Sequence, residues 1–392
     1  MDMATLVVVG LVIVFALAFD FTNGFQDTAN AMATSIATGA LKPKTAVLIA
    51  GAMNLVGAFL STEVAQTVSG GLINEQEVFI GPEFIFAGLV GAIIWNLITW
   101  YLGLPSSGSH ALFGGLVGAV IVGAGVEGVN FVAVIDKILV PSLVSPVVAG
   151  IAAFVTVKLI YRVTAGLEEH QMENGFRHGQ TITACLVALS HGTNDAQKTM
   201  GIITLTLIAT GAQPSGTGPE LWVVAICGLA IAMGTYMGGW RVIHTLGKGL
   251  TDLNTPQGFA AEAASATAVL ASSHLGFALS TTQVCSGSVI GTGLGRGVPV
   301  NWGVAKRMLV AWLVTFPAAA GMGAVACCAA KTGMAGTVVT AVACALVSGF
   351  IFWLSRKNPI DATNVTEDDP QGKLQPKPQS AAVRSGTPTP QM

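Results

Sequence analysis

Long apolar runs separated by short polar breaks dominate the chain. They cover 4–19, 45–60, 84–104, 138–159, 221–239, 308–330 and 336–354. A helix needs roughly 20 mostly apolar residues to cross about 30 Å of hydrocarbon, so the pattern predicts an all-α integral membrane protein, a polytopic helix bundle. The first run alone has the length of a signal-peptide core, but the many later spans make it a first transmembrane helix. A polar patch at 166–180, with Glu168, Glu169, His170, Glu173, Arg177 and His178, divides the membrane body into comparable halves. Beyond Arg356, prolines, charges and small residues take over, a composition that cannot build a core. The predicted organisation is a first membrane repeat at 1–165, a polar connector at 166–180, a second repeat at 181–333, an additional C-terminal helix at 334–355 and a disordered tail at 356–392.

The repeats show themselves through two motifs. Asn23-Gly24-Phe25-Gln26-Asp27-Thr28-Ala29-Asn30 interrupts the first half, and His191-Gly192-Thr193-Asn194-Asp195-Ala196-Gln197-Lys198 interrupts the second 168 residues later. A hydroxyl cluster follows each, 80 to 86 residues on: Pro105-Ser106-Ser107-Gly108-Ser109-His110 and Leu279-Ser280-Thr281-Thr282-Gln283. The same order at near-equal spacing indicates an internal duplication. In membrane proteins this suggests a transporter of two inverted-topology repeats, binding its substrate near the midplane where helices break. Gly24 and Gly192 weaken a helix, while Asp, Asn, Ser and Thr favour N-caps over interiors. Asp27, Asp195, Ser106/Ser107 and Ser280/Thr281 are therefore expected near the starts of short or half-helices.

Composition narrows the class. Charged residues are 10% of the chain, against about 25% in a soluble domain, so there is too little polar surface to face water. The net charge of −2 implies no nucleic acid or acidic partner. Six cysteines in apolar stretches, with no CxxC spacing, read as small buried hydrophobes. Glycines four residues apart, as in Gly114/Gly118, Gly234/Gly238 and Gly287/Gly291/Gly295, suit close helix packing. Such small-residue content is compatible with a homodimer. Lys158, Arg162 and Arg177 flank the connector and favour the cytoplasm. Inverted repeats with odd numbers of crossings then put the N-terminus of this multi-pass cell-membrane protein outside and its tail in the cytoplasm. Lys42 and Lys44 lie in a loop assignable to neither face.

An aspartate in an apolar stretch costs about 2.5–3.5 kcal/mol on insertion scales and is a functional hypothesis by default. Asp27 and Asp195, with oxygens from Asn23, Asn194 or backbone carbonyls, suit a hard monovalent cation; the plain alternative is a structural polar network. Hydroxyls beside helix-start N–H groups suit a tetrahedral oxyanion, or else merely cap their helices. Ser106, Ser107, Ser280, Thr281 and Thr282 form that candidate set, with Asn30, Gln197 and Lys198 from the aspartate motifs. At 4 Å and an effective dielectric of 20, each like-charge pair repels by about 4 kcal/mol. An anion near both carboxylates therefore requires a cation, so coupling to Na+ or H+ is expected. No other cofactor or metal is expected. Lys198 either supplies a positive charge or snorkels to an interface. Glu262 is assigned to the pathway or coupling. Asn54 has a site role or packs helices, and His110 and His191 carry protons or simply hydrogen-bond. Two membrane aspartates also admit an aspartyl protease, but the surrounding amides and repeated hydroxyls have no part in that chemistry, and no enzyme is expected. A channel or carrier for another oxyanion, such as sulfate, is the nearer alternative.

These motifs resemble the inorganic phosphate transporter (PiT) family. Gly24-Phe25-Gln26-Asp27-Thr28-Ala29-Asn30-Ala31 is similar to its Gly-Ala-Asn-Asp-Val-Ala-Asn-Ala signature, and Gly192-Thr193-Asn194-Asp195-Ala196-Gln197-Lys198 to the second copy. Leu279-Ser280-Thr281-Thr282-Gln283 is similar to its Pro-Val-Ser-Thr-Thr-His segment, Ser106–His110 to the first-half version, and 258–262 and 272–276 also fit. The resemblance implies a carrier of phosphate with sodium or protons, in bacterial members sometimes as a neutral metal–phosphate complex. It matches Glu262 to a glutamate associated with transport. It also puts Asn54 where some members have a glutamate paired by symmetry with Glu262. Gln26 replaces the usual Asn and Gln283 the frequent His.

Overall fold

The computed structural model describes residues 3–71 and 81–367. Among them the chain is helical, apart from one isolated antiparallel bridge between Thr251 and Val300. The first half contains α1 (Met3–Ala37), α2 (Pro43–Ala58), α3 (Glu63–Gly71), α4 (Pro82–Tyr101), α5 (Gly108–Ala124), a short α6 (Phe131–Val134) and α7 (Val140–Val163), with a π-helical stretch, Ile135–Leu139, joining the last two. The second half contains α8 (Glu169–Ala209), α9 (Leu221–Met237), α10 (Trp240–Lys248), α11 (Thr255–His274), α12 (Thr281–Arg296) and α13 (Trp302–Ala330), and α14 (Met334–Ser355) follows. By length and apolarity α1, α4, the segment Phe131–Val163, α13 and α14 can cross a membrane. The pairs α2/α3 and α9/α10, each bent by 67°, add two broken spans.

The halves cross their helices at equivalent glycines. A Cβ on Gly24 would lie 2.4 Å from Ile231 O where α1 meets α9, and one on Gly192 would lie 2.2 Å from Asn54 O where α8 meets α2. Gly114 and Gly118 of α5 would likewise strike Phe316 O and Ala320 O of α13, at 2.4 and 1.9 Å. Gly287 and Gly291 of α12 would strike Pro146 O and Gly150 O of α7, at 2.2 and 2.1 Å. Backbones this close exclude every residue with a Cβ, which is how membrane helices use small residues.

The repeats are inverted. Along α1, Asp27 shares Thr281 and His191 with Asp195 of α8, Thr38 bonds Gln180, and Gly39 O accepts from Arg177. Contacts advance along α1 as they retreat along α8, so these equivalent helices are antiparallel. The N-terminus therefore lies on one face, and the connector lies on the other with Lys42 and Lys44.

Two hairpins enter from opposite faces. Phe15 packs on Phe86 and Phe25 on Trp100, so α4 runs parallel to α1, stops near the level of Asp27, and α5 returns. On the other face α11 starts where Asn254 bonds Tyr161 of α7, ends where Ser273 meets Asn194, and α12 returns. The tips touch. Thr282 Oγ1 donates to Ser106 O at 3.0 Å, and Ser109 Oγ donates to Leu279 O at 3.1 Å.

Two sequence expectations need correction. Asp27 and Asp195 are not at helix starts, because α1 and α8 run through them unbroken. Asp27 finds its partners on other helices, and Asp195 pairs with His191 and Lys198 one turn away on α8 as well as with Thr281, so neither competes for its own backbone. The hydroxyl clusters do begin helices: Ser107 and Ser280 are the N-caps of α5 and α12. Residues 356–367, expected to be disordered, pack back on the body. Arg241 donates to Ser355 O at 3.0 Å and to Asn358 O, and Val365 is buried. Residues 368–392 lie outside those described.

Candidate functional site

The hairpin tips close on the middle of α1 and α8, and the charged motif residues meet there. Lys198 does not snorkel. It is buried, its Nζ is paired with Asp195 Oδ1, and it donates to Ser109 Oγ at 2.6 Å and Leu279 O at 3.0 Å. The other Asp195 oxygen lies 2.8 Å from His191 Nε2 and accepts from Thr281 Oγ1 at 3.0 Å. Asp27 accepts from Thr282 Oγ1 at 3.2 Å and, weakly, from Thr281 Oγ1 at 3.5 Å, with His191 Nε2 3.7 Å away. One ligand atom from each of Asp27, His191 and Asp195 falls within 4.8 Å of the others. Both aspartates are almost wholly buried, at 3% and 2% exposure, so the site is occluded from both faces.

Hydrogen bonding locates one proton. Asn54 Nδ2 donates to Thr235 Oγ1 at 2.7 Å, so its Oδ1, 3.1 Å from His191 Nδ1, accepts from that ring nitrogen. Nε2 then faces the carboxylates, 2.8 Å from Asp195 but outside hydrogen-bond geometry. A protonated His191 and Lys198 together would balance the two aspartates.

Acceptors exceed donors around this core. Among the described residues, the side-chain oxygens of Asn23, Gln26, Asn30 and Asn194 are buried without a hydrogen-bond donor. Asn30 turns its amide nitrogen to Thr282 Oγ1 at 3.0 Å and Thr281 Oγ1 at 3.3 Å. Asn23 Oδ1 abuts Gly108 at the start of α5, where a Cβ would lie 1.7 Å from it. Asn194 turns toward the α11–α12 tip, bonding Ser273 Oγ at 3.0 Å and Phe277 O at 3.4 Å. Ser106 Oγ accepts from Gln26 at 2.9 Å and pairs with Thr99 at 2.8 Å. A buried oxygen without a protein donor has room in its bonding for a water or a cation.

Other candidates fall elsewhere. The Ser107 and Ser280 hydroxyls cap their helices, accepting from His110 N at 3.2 Å and Gln283 N at 3.4 Å. Gln197 is turned away from the aspartates. Its Oε1 accepts from Val64 N at 2.8 Å and Ala65 N at 3.3 Å, closing the start of α3. Glu262 also stands apart, in a cage where Thr34 (2.5 Å), Ser35 (2.6 Å) and Gln180 (3.2 Å) bond one oxygen and Thr183 (2.6 Å) the other. Thr34 is seven residues beyond Asp27, about 10 Å along the helix. Asn54 is not the symmetry partner of Glu262, since α2 answers to α9 whereas α11 answers to α4. Sequence reasoning passed over Asp20, Ser109 and the four Glu262 donors. Asp20, fully buried, closes the first apolar run, where an acid reads as a boundary.

A helical membrane body with inverted halves, paired hairpins and buried charges at their meeting point is the architecture of a transporter. The family model described as "Phosphate transporter family" matches residues 23–171 and 164–323. The chain belongs to the phosphate transporter family. It is 52% identical over 362 residues to a Mycobacterium tuberculosis protein named "Probable low-affinity inorganic phosphate transporter", covering 91% of this chain and 86% of that one. A Bacillus subtilis protein of the same name is 41% identical over 317 residues, 81% of this chain and 95% of the relative. The solved structure titled "The sodium-dependent phosphate transporter" matches with a TM-score of 0.73 and 26% identity, over 81% of this chain and 98% of that one. Family and relatives are transporters, not enzymes, which removes the protease reading.

Proposed function

We propose that this protein carries inorganic phosphate across the cell membrane in symport with Na+ or H+, by alternating access of its two inverted halves. Family membership favours phosphate over sulfate. The observation behind coupling is the charge balance of the occluded site. Asp27 and Asp195 are matched by Lys198 and a protonated His191, so every negative charge on an entering anion calls for a further cation. The amide oxygens without donors suit that cation. Anion donors are Lys198, the Asn30 amide, the hydroxyls of Ser106, Thr281 and Thr282, and the backbone at the starts of α5 and α12. A neutral metal–phosphate complex meets the same requirement by bringing its own charge.

The two aspartates differ in this scheme. Asp195 is neutralised within the protein, whereas Asp27 meets hydroxyls and only a distant imidazole. Asp27 is thus the residue for the coupling ion. Glu262 serves the path on the connector side. That face carries Lys42, Lys44 and Arg177 and is read as cytoplasmic, with the N-terminus outside and residues 356–367 inside.

Uptake of radiolabelled phosphate into proteoliposomes, with sodium and proton gradients imposed separately, tests the reading. One gradient should drive accumulation above the equilibrium level. Uptake indifferent to both would reject coupled transport.

A further inference from the structure

Seven residues before Asp27, on the side opposite Glu262, α1 buries a second acid that no part of the account has used. Asp20 has no exposure, and among the described residues neither of its carboxylate oxygens makes a well-formed hydrogen bond. The hydroxyl of Thr199 on α8, also fully buried, lies beside it as a neutral donor, though the contact falls outside good hydrogen-bond geometry. A buried acid with one loosely placed hydroxyl beside it is not a packing solution, because apolar residues would fill that space at lower cost.

Asp20 also has a place in a pattern. Asp20, Asn23, Asp27, Asn30 and Thr34 recur at three- and four-residue spacing, so they form one stripe on α1. The stripe leads from Asp20 through the central site to Thr34, which bonds Glu262. Asp20 and Glu262 therefore flank the aspartate pair on opposite sides, where an alternating path has its two approaches.

We propose that Asp20 is a proton-binding station of the transport path, placed on the N-terminal side of the aspartate pair. An ionised carboxylate this deeply buried, with one neutral hydroxyl beside it, is strongly unfavourable, so the occluded form holds it as the acid. Sodium fits poorly there. α1, α8 and α9 are unbroken at this level, and their carbonyls are committed within the helices. The oxygens that unwound backbone supplies to a sodium ion are missing. The ionisable groups facing Asp20 are Asp195, His191 and Lys198 from α8 and Cys227 from α9, with Asp27 two turns along α1. The only acid of α4, Glu83, sits in that helix's first turn. Each turnover adds H+ to the carboxylate on one side and releases it on the other.

This inference rests on the phosphate-carrier reading, and the test separates the two. Infrared difference spectra of the purified protein across a pH step should show a protonated-carboxyl band that D20N lacks and that D20E shifts. In proteoliposomes containing a pH dye, the number of protons entering per phosphate should fall by one in D20N and recover in D20E. An unchanged band together with an unchanged proton-to-phosphate ratio in D20N overturns the proposal. If the wild type carries no phosphate, the functional reading fails, and the infrared comparison still decides whether Asp20 holds a proton.

Discussion

The two repeats share a scaffold but not their charges. Gly24 and Gly192 make the same close crossing, Ser107 and Ser280 make the same cap, and Asp27 and Asp195 occupy equivalent turns. Around the aspartates the equivalence ends. Asn23 and Asn30 of the first repeat correspond to His191 and Lys198 of the second. In mirrored fashion, Asn30 reaches Thr282 at the tip of the other half while Lys198 reaches Ser109. One half thus supplies a carboxylate with its cations and the other a carboxylate among neutral amides. Duplication built the chamber, and divergence put its two basic side chains, His191 and Lys198, in one half.

The comparison breaks most readily at Lys198. Removing it in K198A leaves Asp195 buried without its cation, which should cost about 3–5 kcal/mol, whereas the equivalent N30A should cost about 1 kcal/mol. Thermal unfolding of the detergent-purified variants measures both, and equal losses would mean the repeats are electrically alike. G24A and G192A test the shared scaffold, since each drives a Cβ into a backbone carbonyl. Both should lose about 1–3 kcal/mol, and a large difference between them would show that the crossings are not equivalent. E262Q puts an amide nitrogen among four donors and should lose about 1–3 kcal/mol with reduced uptake; unaltered stability would remove Glu262 from its cage. The smallest stability change, within about 1 kcal/mol, is expected for D27N, which should nevertheless abolish gradient-driven uptake. Retained accumulation there would reject Asp27 as the coupling residue.

The membrane class, the duplication and the half-helices at 108 and 281 were legible in the sequence, because apolar length, motif spacing and N-cap residues are local signals. That Asp27 and Asp195 ride on continuous helices was not. Asp27 is satisfied by Thr281 and Thr282, beyond any window of neighbouring residues, and Asp195 by His191 and Lys198 one turn away on its own helix, so neither imposes a local break. The same reason hid Gln197, whose amide closes α3 from 133 residues away. Asp20 went unnoticed because it follows an apolar run like an ordinary boundary residue. Lys198 and the face carrying Lys42 and Lys44 became assignable only through their partners, Asp195 and the Arg177–Gly39 bond.

Calorimetric titration of phosphate at several sodium concentrations and pH values, on wild type and D27N, reaches the core of the account most directly. Binding should tighten with one of these cations in the wild type, and that dependence should vanish or flatten in D27N. Wild-type affinity indifferent to both cations, or a dependence that D27N leaves intact, would contradict it.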